Sequence, residues 1–402
     1  MPKSPRRAIV ALAAILALTT CAVLAYAWFG PAKISDARVL LASLTGRGVD
    51  TPARNVIASR LHTAPGFEVG LYAGDIPGAR WLRFTSAGDL VVARTRAGEV
   101  LLLARDRNGD GHADGRRVLL TGLDAPHGLA IRDGWLYVAE RTAVGRVPFD
   151  EGIGAATGQY RHFITGLTGD GAHVTRTIGF GPDGMLYLSQ GSTCNVCEEK
   201  DHRRAAMMRF APDAAAAGEI YATGLRNSVG FDWAPWNSAL YATENGRDLL
   251  GDDFPPDELN RVERGAFYGW PYVNGFNVLD PDFGRGHEPL LATATPPTHG
   301  FRPHNAPLGL VFLRSPARPP GYERSAIVAL HGSWNRSVPD GYKVVSLHWR
   351  EDGSIEERNF LTGFLAESGV IGRPAGVAEG PDGAVYVADD YGGAIYRVAP
   401  RK

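Results

Sequence analysis

Gly-Pro-Asp-Gly-Ala-Val-Tyr-Val-Ala, residues 380–388, and Gly-Pro-Asp-Gly-Met-Leu-Tyr-Leu-Ser, residues 181–189, are two copies of one phrase. Each sets a Pro/Asp/Gly turn before a short apolar run, as a tight turn feeding a strand does. Four more such runs occur: Leu-Val-Val-Ala (90–93), Leu-Tyr-Val-Ala (136–139), Leu-Tyr-Ala-Thr (240–243) and Ile-Val-Ala-Leu (327–330). Most of their starts lie 46 to 58 residues apart, and one interval of 87 is long enough to hold an insertion. Units of that length with about four short strands each are the blades of a β-propeller. The expected fold is therefore all-β, a six-bladed propeller whose inner strand ends converge on a central channel.

Composition agrees. Of 402 residues, 50 are Gly and 27 Pro, roughly a fifth of the chain against a usual ~12%, which reads as many tight turns. With 42 basic and 43 acidic residues the net charge is −1, so nothing electrostatic points to nucleic acid.

The N-terminus stands apart. Lys3, Arg6 and Arg7 precede an uncharged run from Ala8 to Phe29. As a helix that run spans about 33 Å, enough for a bilayer core of ~30 Å and longer than the usual core of a cleaved signal peptide. Basic residues on its N-terminal side imply an N-in, C-out orientation. The expected organisation is a signal anchor or signal peptide over 1–30, a linker over 31–64 and the propeller over 65–400. A lipoprotein site at Cys21 is a third reading of the leader. All three place the body on the periplasmic side of the cytoplasmic membrane.

The other two cysteines form Cys194-Asn-Val-Cys197, followed by Glu198 rather than the histidine of covalent haem attachment. In an oxidising compartment a local disulfide is favoured, with zinc or thiol redox chemistry as alternatives. Asp106-Arg-Asn108-Gly-Asp110-Gly-His-Ala-Asp114 has oxygen ligands at calcium-loop spacing, but Arg117 stands where an EF-hand needs a glutamate. It is either a partial calcium loop or an Asx-rich hairpin turn.

His127, His173, Arg226 with Asn227, and Arg373 each precede an apolar-glycine phrase. Propeller geometry should bring them to one end of the channel. Several guanidiniums suit an anionic ligand, and a histidine among them suits a general base.

Thr-Gly-Leu-Arg-Asn-Ser-Val-Gly-Phe-Asp (223–232), Leu-Tyr-Ala-Thr-Glu-Asn-Gly (240–246), Asp-Glu-Leu-Asn (257–260) and Tyr-Gly-Trp-Pro (268–271) follow in the order seen in the glucose/sorbosone dehydrogenases. The chain thus resembles these quinoproteins, which bind pyrroloquinoline quinone (PQQ) in a six-bladed propeller. It looks closest to the sorbosone dehydrogenase branch through residues 173–177, 194–200 and 331–336. The resemblance implies His173 as catalytic base and Arg226 with Asn227 at the reactive quinone carbonyl. It places the backbone carbonyls of Gly246 and Arg247 at a catalytic Ca²⁺ and Arg373 at a PQQ carboxylate. A second arginine of the family is here Ala375, and a family lysine is His331, with Arg336 close behind; either of these is a candidate for the missing charge. The family's acidic residue after the His-bearing strand is replaced by Gly191-Ser192. The implied reaction is oxidation of an aldose or sorbosone-like sugar, with electrons passing to a respiratory-chain acceptor. A calcium-dependent lactonase and a non-catalytic sugar- or protein-binding propeller are the alternatives; the basic positions before the strands favour an anionic cofactor over a lactonase.

Overall fold

The computed structural model describes residues 45–213 and 217–401, together with Val39 and Leu41. The apolar run Ala8–Phe29 lies outside the described residues, and among those described no helix is long and apolar enough to cross a membrane.

Six antiparallel sheets follow one another around a ring. Their innermost strands are Ala79–Phe84, Leu129–Arg132, Arg176–Phe180, Phe231–Trp233, Pro307–Phe312 and Pro374–Glu379. All six repeated tetrapeptides are the second strand of a blade, as in Leu90–Arg94, Leu186–Gln190 and Val385–Asp389. A strand with a blade on either side is buried on both faces, which is why these runs are continuously apolar. Val91 and Ala93 pack toward the second blade while Leu90 and Val92 pack toward the sixth. The strand period of two thus divides each tetrapeptide between two interfaces.

The recurrent tyrosine has one job. Tyr137, Tyr187, Tyr241 and Tyr386 each meet an aromatic ring on the next blade's inner strand edge-on: Phe180, Trp233, Phe312 and Phe84, with centroids 4.8–5.6 Å apart. Such pairs add about 0.5–1.5 kcal/mol each beyond their buried area. The glycine of the apolar-glycine phrase lets inner strands touch backbone to backbone. A Cβ on Gly230 would stand 2.0 Å from the Leu308 carbonyl, and one on Gly376 2.5 Å from that of Arg80. The channel between the inner strands holds a cavity of about 560 Å³, lined by Trp81, Leu129, Ile178, Phe231, Leu310 and Val377.

The ring closes by exchange of ends. Phe67–Ala73, from the start of the fold, pairs with Ala394–Pro400 as the outer strand of the sixth blade. The segment expected as a linker is partly folded. The helix Arg54–Arg60 buries Ile57 beside Phe360 and Phe364, and His62–Thr63 adds a strand to the fifth blade. The long interval is an insertion within the fourth blade, holding the hairpin Val273–Asn274/Val278–Leu279 and the 3-10 helix Glu288–Ala292. In the Asp106 loop the carboxylate accepts from the amides of Gly109, Asp110 and Gly111, which is an Asx-type turn.

Candidate active site

The inner strands all begin at the same end of the ring, so the loops before them converge there. His127, His173, Arg226 with Asn227, and Arg373 hold this position in the second, third, fourth and sixth blades, and Arg80 is the second residue of the first blade's inner strand. They divide into two groups and one outlier. The outlier is His127, fully buried in the channel wall beside Trp81, with Nδ1 3.3 Å from Thr177 Oγ1. Burial lowers its pKa to about 3, and it stays neutral.

The first group surrounds His173. Its Nδ1 lies 2.9 Å from the Ser192 carbonyl and 3.0 Å from Ser192 Oγ. A carbonyl only accepts, so Nδ1 carries the proton and Nε2 keeps its lone pair. Burial, then the charge of Arg226, pulls the pKa down to about 3, so the imidazole is neutral at working pH. Its backbone carbonyl is held by Arg176 at 2.9 Å and Arg204 at 3.1 Å. Gly191 permits a close approach, since a Cβ there would stand 2.7 Å from His173 Cβ and 2.5 Å from Asn227 Oδ1. The imidazole thus sits beside Asn227, oriented by the Ser192 main-chain carbonyl.

Arg226 is 4% exposed, and all five of its N–H groups are engaged. Nε donates to the Asn195 carbonyl at 2.8 Å, and Nη2 to Asn195 Oδ1 at 2.9 Å and Asp248 at 3.2 Å. Nη1 donates to the carbonyls of Asn245 and Gly246 at 3.0 and 2.9 Å. Two carboxylates at strand ends fix the surrounding backbone. Glu244 accepts from Asn227 N at 2.5 Å and Ser228 Oγ at 2.6 Å, and Asp257 from Gly246 N at 2.8 Å. Burial raises their pKa values to about 8 and about 7.

This region also tests the fit of a metal. The Gly246 carbonyl has a second lone pair beyond its bond to Arg226. Asn245 Oδ1 and Asn335 Oδ1 are buried without a hydrogen-bond partner among the described residues, and Asn335 Nδ2 donates to Asp248 at 3.1 Å. Neutral and anionic oxygens of this kind suit a hard divalent cation such as Ca²⁺. The Arg247 side chain turns to Asp280, at 2.7 Å to both oxygens, and to Asp282 at 2.9 Å. The side chain is thereby committed to these carboxylates.

The second group lines a pocket of about 1010 Å³ that includes Arg80, Arg96, Arg141, His331, Arg373 and Asp390. Val174 and Thr175, which directly follow His173, form part of its wall and join the two groups. Arg373 donates to the His331 carbonyl at 3.1 Å and the Gly332 carbonyl at 2.9 Å. Asp390 is shared: Arg80 pairs with one oxygen, and His331 Nε2 lies 2.9 Å from the other. A carboxylate cannot donate, so His331 Nε2 carries its proton. Burial, then Arg373, lowers the His331 pKa to about 4, so His331 adds no charge to the pocket at neutral pH. Burial pushes the Asp390 carboxyl up, but the Nε2–H bond of His331 and the charges of Arg80 and Arg373 outweigh it and hold it ionised. Four arginines against Asp124 and Asp390 leave the pocket basic, which fits a polycarboxylate such as PQQ.

Arg336 stands elsewhere. It bonds the carbonyls of Asp252 and of Pro303, and Asn335 beside it reaches Asp248 and so the Arg226 group. Ala375 is 1% exposed and packs with Val229 and Leu308 against Trp81. The sequence reading missed Arg80, Asp390 and Asn195. By register Arg80 holds in the first blade the position that Ala375 holds in the sixth, but its phrase Ala79-Arg-Trp-Leu-Arg-Phe lacks the glycine that marked the others.

The TrAA12-like family model matches residues 61–273 and 291–401. An uncharacterized protein of Borreliella burgdorferi is 40% identical over 184 residues, 45% of this chain and 48% of its own length. The pyrroloquinoline quinone-dependent pyranose dehydrogenase of Coprinopsis cinerea is 25% identical over 336 residues, 71% of this chain and 44% of that protein. The chain therefore spans less than half the length of either relative. The calcium structure of the Trichoderma reesei carbohydrate-active enzyme of family AA12 superposes with a TM-score of 0.75 at 23% identity, over 89% of this chain and 99% of that one. That likeness establishes the fold.

Proposed function

Because this chain belongs to the TrAA12-like family, we propose that it is a PQQ- and calcium-dependent dehydrogenase of an aldose or sorbosone-like sugar. The observation that carries the reading is a basic pocket whose wall continues directly into a buried, neutral histidine. Arg373 and Arg80 would hold the carboxylates of the quinone, with His331 fixed between Asp390 and Arg373. Asn227 and Arg226 would lie toward its reactive end, and the carbonyls of Gly246 and Arg247 would hold the calcium. When bound, the quinone supplies the hydride acceptor and the metal the electrophile.

His173 takes the proton of the sugar hydroxyl at Nε2, because Nδ1–H is committed to Ser192. Burial, and after it Arg226, depresses its basicity in the protein alone. An anion against the arginines offsets the second of these and so raises the basicity of Nε2. Arg176 and Arg204 keep the ring in place through its backbone carbonyl.

Adding PQQ and Ca²⁺ to the protein should give a saturable absorbance change that bleaches with aldoses; no saturable binding, or no bleaching with any sugar, rejects this function. We place the body on the periplasmic side of the cytoplasmic membrane, delivering electrons to the respiratory chain, because Ala8–Phe29 is long, apolar and preceded by basic residues. A reporter fused after Lys402 that works only in the cytoplasm rejects that placement.

A further inference from the structure

Asn195 lies between the two cysteines of Cys194-Asn-Val-Cys197, which are joined by a disulfide. All three of its polar atoms beyond the amide nitrogen are used. Its carbonyl accepts from Arg226 Nε at 2.8 Å and Trp270 Nε1 at 3.3 Å. Its Oδ1 accepts from Arg226 Nη2 at 2.9 Å and the Asp248 amide at 2.8 Å. Its Nδ2 donates to the Asp248 carbonyl at 3.1 Å. The residue is thus a fork facing the Arg226 fork, and it also pins the turn that carries Gly246 and Arg247.

The same loop holds the base. Ser192 orients His173, its amide donates to the Arg226 carbonyl at 2.6 Å, and its hydroxyl donates to the Cys194 carbonyl at 2.6 Å. Glu199 closes the far side, accepting from Thr193 N at 2.5 Å and from the Thr193 hydroxyl. One short segment therefore touches both His173 and Arg226, residues of different blades. Without its amide, Arg226 loses one of two side-chain partners and keeps only carbonyls and Asp248.

We infer that Asn195 is a positioning residue that sets Arg226 relative to His173, and that the Cys194–Cys197 disulfide holds it in that place. The activity arm of the test rests on the proposed dehydrogenase function; a titration arm does not. Arg226 keeps its full-strength field on His173 only while it is held, so its release lets the imidazole take up a proton more readily.

The test compares full-length wild type with Asn195→Ala, Asn195→Asp and Cys194→Ser/Cys197→Ser. Histidine resonances are titrated by NMR without added cofactor, with His173 assigned by its loss in His173→Gln. Asn195→Ala should raise the His173 pKa. With PQQ and Ca²⁺ it should lower kcat about 10- to 100-fold, with KM and PQQ affinity changed less than about threefold. Asn195→Asp keeps an acceptor for both Arg226 and the Asp248 amide, so it should restore most of kcat. The double serine variant should move the His173 pKa in the same direction. A wild-type pKa and kcat in Asn195→Ala overturn the inference, as does a loss that Asn195→Asp does not relieve. If Asn195→Ala does not fold, the double serine titration decides, and an unmoved His173 there rejects the inference. If wild type fails to bleach with sugars, the function is rejected, and the titration still rules on Asn195.

Discussion

Replacing His173 by glutamine should separate catalysis from folding in one protein. The side chain keeps an N–H for the Ser192 carbonyl, which sits 2.9 Å from Nδ1, so the local backbone has no reason to move. What is lost is the lone pair of Nε2. A general base contributes roughly 10²–10⁴-fold, or about 2.7–5.5 kcal/mol of barrier, so kcat should fall at least about 100-fold. PQQ affinity should hold, because the basic pocket is formed by Arg80, Arg373 and their neighbours. Stability should change in the opposite sense at low pH. The folded pKa of His173 is lowered from 6.5 to about 3. Above pH 6.5 both states are neutral and the histidine costs nothing. As pH falls below 6.5 the unfolded chain binds a proton that the folded one refuses, so stability is lost down to about pH 3. At pH 5 that loss is at most about 2 kcal/mol. Glutamine does not titrate, so His173→Gln should narrow its stability gap to wild type, or overtake it, between pH 8 and pH 5. Turnover, PQQ titration and urea unfolding at the two pH values measure all three quantities. Near-normal turnover, or a stability difference that ignores pH, would refute the assignment of a buried neutral base.

Arg373→Ala removes one charge-assisted partner, a loss of about 1.5–3 kcal/mol, so PQQ binding measured by titration should weaken roughly 10- to 100-fold. Arg80→Ala should weaken it as well, whereas Arg336→Ala, which removes no pocket side chain, should change it far less; equal losses in Arg80 and Arg336 variants would contradict the division of the site. Cys194 and Cys197 should resist alkylation in folded, non-reduced protein and react after reduction, as their disulfide requires; labelling of both without reductant would disprove the bond.

The repeat was legible because the propeller writes it into the second strand of every blade. Those strands are buried on both faces, so Leu186–Gln190 or Val385–Asp389 has no polar alternation to hide it. The channel-end residues were legible wherever a glycine preceded an inner strand, since close approach of neighbouring strands imposes that glycine, as at Gly128 and Gly230. Arg80 escaped because the first blade makes the contact with Gly376 on its partner's side instead. The folding of residues 54–63 was not visible either, since a seven-residue helix with one buried residue, Ile57, gives little periodicity. Asn195 and Asp390 carry no pattern of their own. Their importance comes from contacts 31 and 59 residues away in sequence, with Arg226 and His331.

Charge placement explains why the two arginine groups are built differently. Arg80 keeps 20% of its side-chain surface open and lines the pocket, so a ligand carboxylate reaches it directly, whereas Arg373, 5% exposed, acts from within the pocket wall. Arg226 is buried with every N–H committed, and its influence on a ligand is therefore its field more than a vacant donor. That field is weakly screened in a buried site. It favours anionic charge in front of it and disfavours a proton on His173 behind it. A bound polycarboxylate with a reducible end satisfies the first demand and thereby relaxes the second. Under the proposed function, the low basicity that burial gives His173 is deepened by Arg226, and a bound anion relieves that second contribution alone.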